Sequence, residues 1–191
     1  FGGCTTVQFL AGNCKKIPGG YDFLNKDSDP MDNLGHGTHV AGIVASTDKT
    51  YRGIAPGANL LALKVLGKSR GTISVVIAGI DWCVQNKRKY NIKVISMSLG
   101  SYVGYSSFDC PKSYDPAIQK AVNAGIFVDA SSGNNGFFNG LSNPSCVPGV
   151  FSVGATYDAN VGGPIQWGNP VTCTDSTTSA DKISCFSNRN N

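Results

Sequence analysis

Hydrophobic positions recur along the chain at two different spacings. Between residues 72 and 90, apolar side chains return every three or four positions from Ile73 to Val84, which predicts a helix with one face against a core. The run "ANLLALKVL" (58–66) is instead continuously apolar and of strand length, as in a strand buried on both faces of a sheet. Together the two patterns predict helices packed on a sheet.

The same two patterns divide most of the chain. Helical patterns cover 37–46, 72–90 and 115–125, and strand runs cover 58–66, 92–100, 126–132 and 149–156. The third helix is predicted to have Asp115 as N-cap, Pro116 at its first position and Gly125 at its end. Because strands and helices alternate, we predict an α/β fold with a mainly parallel sheet and helices on both faces. Ligand sites in such sheets lie beyond the carboxyl ends of strands. Residues 1–35 and 172–191 are predicted to be less regular.

The composition is typical of a globular domain. The chain has 191 residues, 41% of them hydrophobic, and no apolar run near the roughly 20 residues of a membrane span. Its net charge of +4 is spread along the chain. The densest cationic group, Lys87 to Lys89, lies at a predicted helix end, where cations complement the helix dipole. We therefore expect neither a nucleic-acid nor a membrane partner.

The seven cysteines predict disulfides rather than a zinc site, since none of them forms a CxxC pair. Six lie in loop-like sequence, whereas Cys83 falls on the apolar stripe of the 72–90 helix. Three disulfides and one buried thiol is the simplest arrangement, and it implies an oxidising, extracellular compartment. Spacing does not fix the connectivity; we expect the local pairing Cys4–Cys14, Cys110–Cys146 and Cys173–Cys185.

Both histidines lie in "NLGHGTHVAGIVAS" (33–46). Gly35 and Gly37 flank His36 and leave room for a substrate backbone, and a neutral imidazole near pH 7 can serve as a general base. His39 follows one helical turn later. We interpret His36 as the catalytic candidate. Two alternatives stay open: both histidines are packing or capping residues, or they share a metal ion, for which the sequence offers no convincing further ligands.

Two strand exits carry further candidate chemistry. In "ASSGNNG" (130–136), Asn134 follows a glycine and can donate its side-chain amide to a developing oxyanion; an ordinary Gly-Asn turn is the alternative. In "SMSLGS" (96–101), the strand end can offer its backbone to a bound peptide, with Leu99 lining a pocket. The alternative is a buried strand that ends in a turn.

In this order, the three elements resemble the subtilisin-like serine proteases (subtilases, peptidase S8). "GHGTHVAGIVAS" resembles the histidine motif of that family, "VISMSLGS" its pocket strand, and "ASSGNNG" its oxyanion segment. "RGIAPGANLLALKVL", "VPGVFSVGAT" and "ISCFSNR" are similar to other family segments, so the resemblance extends over about residues 20 to 189. The early "GGC…CKKIPGGYDF" and the later cysteines look more like the larger secreted subtilases of the minor extracellular protease or lactocepin-like type.

The resemblance implies a three-layer subtilisin-like fold and a secreted serine endopeptidase that works through an acyl-enzyme and requires no cofactor. Structural calcium is left open and no site is assigned. His36 would be the general base and then the general acid, Asn134 the oxyanion donor, and His39 a structural partner held inside the helix. The implied substrate-binding residues are Arg70, Gly71, Ser98, Leu99, Gly100, Ala130, Ser131, Ser132, Gly133, Ser142 and Asn143.

Two parts of the family pattern have no counterpart in these residues. No Asp-Thr-Gly or Asp-Ser-Gly precedes His36, and Asp22 lies in what resembles an ordinary strand. Asp32 is interpreted as a solvated loop carboxylate, and a position near the substrate groove is the alternative. No Gly-Thr-Ser-Met-Ala occurs, and Ser179 is interpreted as a loop serine. We therefore expect residues 1–191 to be the central part of one catalytic domain, inactive alone, with the missing segments elsewhere in the same enzyme or on another chain. The alternative is a non-catalytic, peptide-binding relative.

Asp129 also departs from the pattern, because a buried strand would carry an apolar residue there. Either its carboxylate has partners or its strand is more exposed than its apolar neighbours suggest.

Overall fold

The computed structural model describes residues 4–68, 71–168 and 172–190. The chain divides into two compact units, Phe1–Tyr90 and Asn91–Asn191, and each is described by itself. The prediction that residues 1–191 belong to one catalytic domain stays a prediction.

The described residues of the first unit form three helices and a pair of parallel strands. Its elements are α1 (Thr6–Leu10), β1 (Gly19–Asp22), α2 (His36–Ala45), β2 (Leu61–Lys64) and α3 (Ile73–Tyr90). Strands β1 and β2 pair in register from Gly19 opposite Leu61 to Asp22 opposite Lys64. The helices predicted at 37–46 and 72–90 are confirmed within one residue at each end, and the strand predicted at 58–66 is confirmed but shorter.

Helix α1 shows that the amino-terminal region is more regular than predicted. Thr5 and Gln8 form a reciprocal capping box, in which each side chain accepts a hydrogen bond from the other's backbone N–H. Phe9, Cys14 and Ile17 form a small buried cluster behind the helix. A five-residue helix is too short for hydrophobic periodicity to reveal, but the Thr-x-x-Gln spacing was a readable signal.

The second unit is built on a three-stranded parallel sheet. Its strands are β3 (Val94–Met97), β5 (Phe127–Ser131) and β7 (Phe151–Val153), in the order β3-β5-β7, and α4 (Asp115–Asn123) packs against β5. Two short antiparallel pairs complete the unit: β4 (Gly104–Tyr105) with β6 (Leu141–Ser142), and β8 (Ile165–Trp167) with β9 (Cys173–Asp175). The predicted α/β class with a mainly parallel sheet is confirmed.

The start of α4 differs from the prediction by one residue. Tyr114 is the N-cap and Asp115 is already helical, because a 3-10 turn, Lys112–Tyr114, leads directly into the helix. Pro116 lies in the first turn, as predicted, and Gly125, with φ of 71°, follows the helix end.

The two faces of the β3-β5-β7 sheet are unequal. Ile95, Val128 and Ala130 point to the buried face, whereas Phe127 and Phe151 on the other face are 52% and 60% exposed. Asp129 lies on this exposed side, where its Oδ1 accepts a hydrogen bond of 2.8 Å from the hydroxyl of Ser96 on the neighbouring strand. Both explanations for Asp129 therefore hold: its strand is exposed on that face, and its carboxylate has a partner.

All three predicted disulfides are present. The structure pairs Cys4–Cys14, Cys110–Cys146 and Cys173–Cys185, and Cys83 is a buried free thiol. Burial raises the pKa of Cys83 to about 12, so the thiol stays protonated at neutral pH and acts as a small core residue. Among the described residues, no helix is long and apolar enough to cross a membrane.

Candidate active site

His36 begins helix α2 and is exposed, as predicted. The N-cap, Gly35, has φ of 96°, a left-handed conformation that favours glycine, so the chain turns sharply just before the histidine. The following residues pack the far end of the helix, where Ala45 is buried. The imidazole is therefore held at the open end of a helix.

The position predicted for His39 is wrong, because its side chain is exposed rather than held inside the helix. Residues three and four apart share one face of a helix, so His36, His39 and Ile43 lie along the same stripe. Ile43 is 57% exposed, which shows that this whole stripe faces solvent in the structure. Burial therefore does not separate the two histidines, and the difference between them is their position at the helix end.

The carboxylate of Asp32 is hydrogen-bonded to the turn that carries His36. Asp32 Oδ1 accepts hydrogen bonds from the backbone N–H groups of Leu34 and Gly35, both at 2.9 Å. Its Oδ2 accepts from the N–H and the hydroxyl of Thr38, both at 2.8 Å. The Asp32 carboxylate thus accepts hydrogen bonds from the chain on both sides of His36. It replaces the N-cap side chain that Gly35 cannot supply.

The interpretation of Asp32 as a solvated loop carboxylate is therefore wrong. Partial burial alone would raise the pKa of Asp32, but the four hydrogen bonds hold its pKa well below the ordinary value. It is ionised at neutral pH, and its charge lies where a helix N-terminus favours an anion. The available signal was an Asp followed by turn residues and, six positions later, by a threonine at a helix start.

Asp22 has a structural partner of its own. It ends β1, is fully buried, and lies 3.0 Å from Lys64 Nζ at the end of β2. Its carboxylate also accepts hydrogen bonds from the N–H groups of Leu24 and Asn25. Burial would raise the pKa of Asp22, but the hydrogen bonds from Asn25, Lys64 and Leu24 hold the pKa below its ordinary value. Asp22 fastens β1 to β2, in keeping with its interpretation as a strand residue.

The predicted pocket segments of the second unit meet beyond the carboxyl ends of β3 and β5. Ser131 Oγ donates a hydrogen bond of 3.3 Å to the Leu99 carbonyl, which links the two predicted walls. The N–H of Ser142 donates to the Ser132 carbonyl at 2.8 Å, which joins the third segment to the second wall. The three segments selected from the sequence therefore form one contiguous structure.

Ser101, which follows the first wall directly, is hydrogen-bonded to the third segment. It accepts a hydrogen bond from Ser142 Oγ at its carbonyl, 2.8 Å, and its N–H donates to the Asn143 carbonyl at 2.9 Å. A Cβ added at Gly100 would lie only 2.8 Å from Ser142 Cβ, so the glycine permits the close approach of the wall to the third segment. Ser101 was not among the predicted site residues.

Asn134 lies three residues after the end of β5, on a turn that requires glycine. Gly133 has φ of 111°, and a Cβ there would lie 2.2 Å from Ser142 Oγ. Asn134 is exposed, so its side-chain amide can reach a ligand. Its role as an oxyanion donor stays a prediction.

The catalytic and substrate-binding roles of the predicted residues remain predictions. Arg70 lies outside the described residues. Gly71 is described and fits tightly against the Val65 carbonyl, but its pairing with a substrate strand is untested. Among the described residues, no group of three or more His, Cys, Asp or Glu side chains converges as a metal site would require.

Within this chain, His36 belongs to the first unit, and Asn134 and the pocket segments belong to the second. A sequence model of the Subtilase family matches residues 11–191. The chain belongs to the subtilase family. Its α/β architecture is a partial subtilisin-like fold.

Individual relatives agree with the family assignment. The chain is 40% identical to subtilisin DY of Bacillus licheniformis over 151 residues, which cover 76% of this subtilase chain and 51% of that protein. It is 37% identical to the serine protease AprX of Bacillus subtilis (strain 168), over 76% of this chain and 35% of AprX. Among solved structures, a cold-adapted subtilisin-like serine proteinase aligns with a TM-score of 0.65 and 32% identity, covering 93% of this chain and 55% of that one. The chain therefore spans about half the length of these relatives, or less.

Proposed function

We propose that this chain is part of a secreted, subtilisin-like serine endopeptidase that hydrolyses peptide bonds through an acyl-enzyme. The observation that carries the proposal is the family match over residues 11–191. The exposed helix start at His36, held by Asp32, supports it. The three disulfides support an extracellular location, because reducing compartments do not maintain such bonds.

The residues of this chain would supply three parts of the chemistry. His36 accepts the proton of the attacking hydroxyl and returns it to the leaving amine. The Asn134 amide donates to the oxygen of the tetrahedral intermediate, where losing one such donor typically costs about 3 kcal/mol of transition-state stabilisation. The predicted pocket walls at 98–100 and 130–132, which are hydrogen-bonded to each other through Ser131 and Leu99, would receive a substrate side chain. No step requires a cofactor.

The nucleophile is not assigned to any of the 191 residues, and neither is the aspartate that would orient His36. Asp22 is paired with Lys64, and Asp32 is engaged with the backbone around the histidine. We therefore propose that the 191 residues alone are inactive and that the active enzyme takes both groups from elsewhere.

A serine-directed fluorophosphonate probe tests this proposal. The isolated 191-residue chain should show no stoichiometric label by intact mass. An active protease that contains this chain should be labelled on one serine outside residues 1–191, and His36→Ala should abolish that labelling. Labelling of a defined residue within 1–191 would contradict the proposal, and so would unchanged labelling of the His36→Ala protein. A protein that contains this chain, binds peptides and never reacts with the probe would favour the non-catalytic alternative.

A further inference from the structure

Asn188 makes an unusual set of contacts for a residue that the proposed function leaves without a role. It is 2% exposed, and its side chain uses both of its ends. Oδ1 accepts hydrogen bonds from the N–H groups of Asn135 at 2.8 Å and Phe137 at 3.2 Å. Nδ2 donates to the Ser132 carbonyl at 3.1 Å and to Ser142 Oγ at 3.4 Å. These four contacts lie before and after Asn134 in the sequence.

The main chain of Asn188 adds a fifth contact to the same loop. Its N–H donates to the Gly133 carbonyl at 2.9 Å. A Cβ on Gly133 would lie 2.3 Å from Asn188 Nδ2, so glycine is needed to let the two segments come this close. Asn188 therefore bonds the loop at 132, 133, 135 and 137, and leaves the exposed side chain of Asn134 outside this set of bonds.

The residues beside Asn188 continue the attachment. The N–H of Gly136 donates to the Phe186 carbonyl at 2.7 Å, and the N–H of Arg189 donates to the Phe137 carbonyl at 2.8 Å. Segment 186–189 thus runs along the whole loop that presents Asn134. Within this segment, the Asn188 side chain alone both donates to and accepts from the loop, a combination that a neutral amide provides and a carboxylate does not.

We propose that Asn188 is a positioning residue for the oxyanion donor Asn134. It fixes the loop so that the Asn134 amide is already in place when negative charge develops on the substrate oxygen, which is the condition for effective electrostatic stabilisation. Asn188 itself does not touch the substrate. This inference rests on the proposed function, because it assigns Asn188 a role in the same reaction.

A double-variant cycle in an active protease that contains this chain tests the proposal. The variants are Asn188→Ala, Asn134→Ala and the combination, and rates are normalised to active enzyme by titration. Asn188→Ala should lower kcat about tenfold or more while KM changes less than about twofold, because a transition-state interaction is weakened. The Asn188 substitution should have little further effect in the Asn134→Ala background, because the group through which it acts is gone.

The matched control is Ser187→Ala. Ser187 is the neighbouring residue and is 1% exposed. Its hydroxyl bonds the Ala155 N–H, Ser132 Oγ and the Asn188 carbonyl, and none of residues 133–137. Its removal should lower stability but leave kcat per active site within about twofold. If Asn188→Ala does not fold, Asn188→Asp, which keeps the side-chain shape and loses the Nδ2 donors, replaces it in the cycle.

Two results would overturn the inference: an unchanged kcat per active site in the Asn188 variant, or losses from Asn188 and Asn134 that multiply independently. Failure of the proposed function gives a different pattern. In that case, Asn134→Ala and His36→Ala would themselves leave the rate unchanged.

Discussion

At the scale of single residues, the histidine depends on a carboxylate that the sequence pattern alone did not distinguish. Asp32 is one of several Asp residues in the turn-rich segment before His36. Nothing in the composition of that segment separates Asp32 from an ordinary solvated turn residue. Only the folded chain brings Thr38 back onto the same carboxylate as Leu34 and Gly35. Asp32 is a positioning residue for the turn that presents His36, the proposed base.

Replacing Asp32 tests that assignment. Asp32→Ala removes four hydrogen bonds, so we expect the free energy of unfolding to fall by about 1–2 kcal/mol, as for other N-cap losses. Turnover per active site should also fall in a protease that contains the chain, because the backbone on both sides of His36 is released. Denaturant unfolding and kcat measure the two effects.

Asp48→Ala is the matched control for Asp32→Ala. Asp48 is exposed and accepts hydrogen bonds from the backbone N–H groups of Thr50 and Tyr51, in a turn that does not contain a histidine. Its removal should leave turnover unchanged. Equal losses of turnover in the two variants would show that Asp32 has no special connection with His36.

At the scale of elements, the long patterns were predictable and the short ones were not. The apolar stripe of α3 identifies the helix and the burial of Cys83, because eighteen residues give the period room to repeat. Strands of two or three residues, such as β4 or β8, carry no period. The N-cap of α4 was misplaced by one residue because a 3-10 turn leads directly into the helix, so that Asp115 is already helical.

In the candidate site, too, some residues could be predicted from the sequence and others could not. Gly35 was singled out for the room it leaves beside His36, and Gly100 and Gly133 were implied by the family resemblance. The structure shows a left-handed turn or a close approach at each. Ser101 and Asn188 did not stand out, because their importance comes from partners about 40 and 50 residues away. Such partners cannot be inferred from spacing along one sequence.

The pairing of β1 with β2 gives a prediction about stability. Asp22→Asn leaves Lys64, whose side chain is 12% exposed, without its anion, so the free energy of unfolding should fall by about 3–5 kcal/mol. The pKa of Asp22 is lower in the folded chain than its ordinary value of 3.8. Its contribution should therefore be complete above that value and be lost as the pH falls through the folded pKa.

Denaturant unfolding between pH 2 and pH 7 measures this effect, with Asp158→Asn, an exposed aspartate of the second unit, as control. The Asp22→Asn protein should lose part of the acid dependence of stability, and the control should keep it. A stability cost for Asp22→Asn no larger than that of the control would show that the ion pair does not fasten the strands.

At the scale of the whole molecule, two compact units carry different parts of one proposed reaction. The first contains His36 and Asp32, and the second contains Asn134, the pocket segments and Asn188. The order of these motifs along the chain, rather than any one of them, identified the family before the fold was known. Each motif had a plain structural alternative, and only their combination made catalysis the better interpretation.

The most direct test of the central claim is the kinetic effect of removing the imidazole at position 36. In an active protease that contains this chain, kcat/KM for a peptide amide should fall about 10⁴- to 10⁶-fold in His36→Ala, the scale of losing the base of a serine protease. His39→Ala, on the same exposed face of α2, should lower kcat/KM by a factor at least about 100 times smaller than His36→Ala does. Circular dichroism should show both variants folded. A His36→Ala protein that keeps kcat/KM within tenfold of the unsubstituted enzyme would contradict the account.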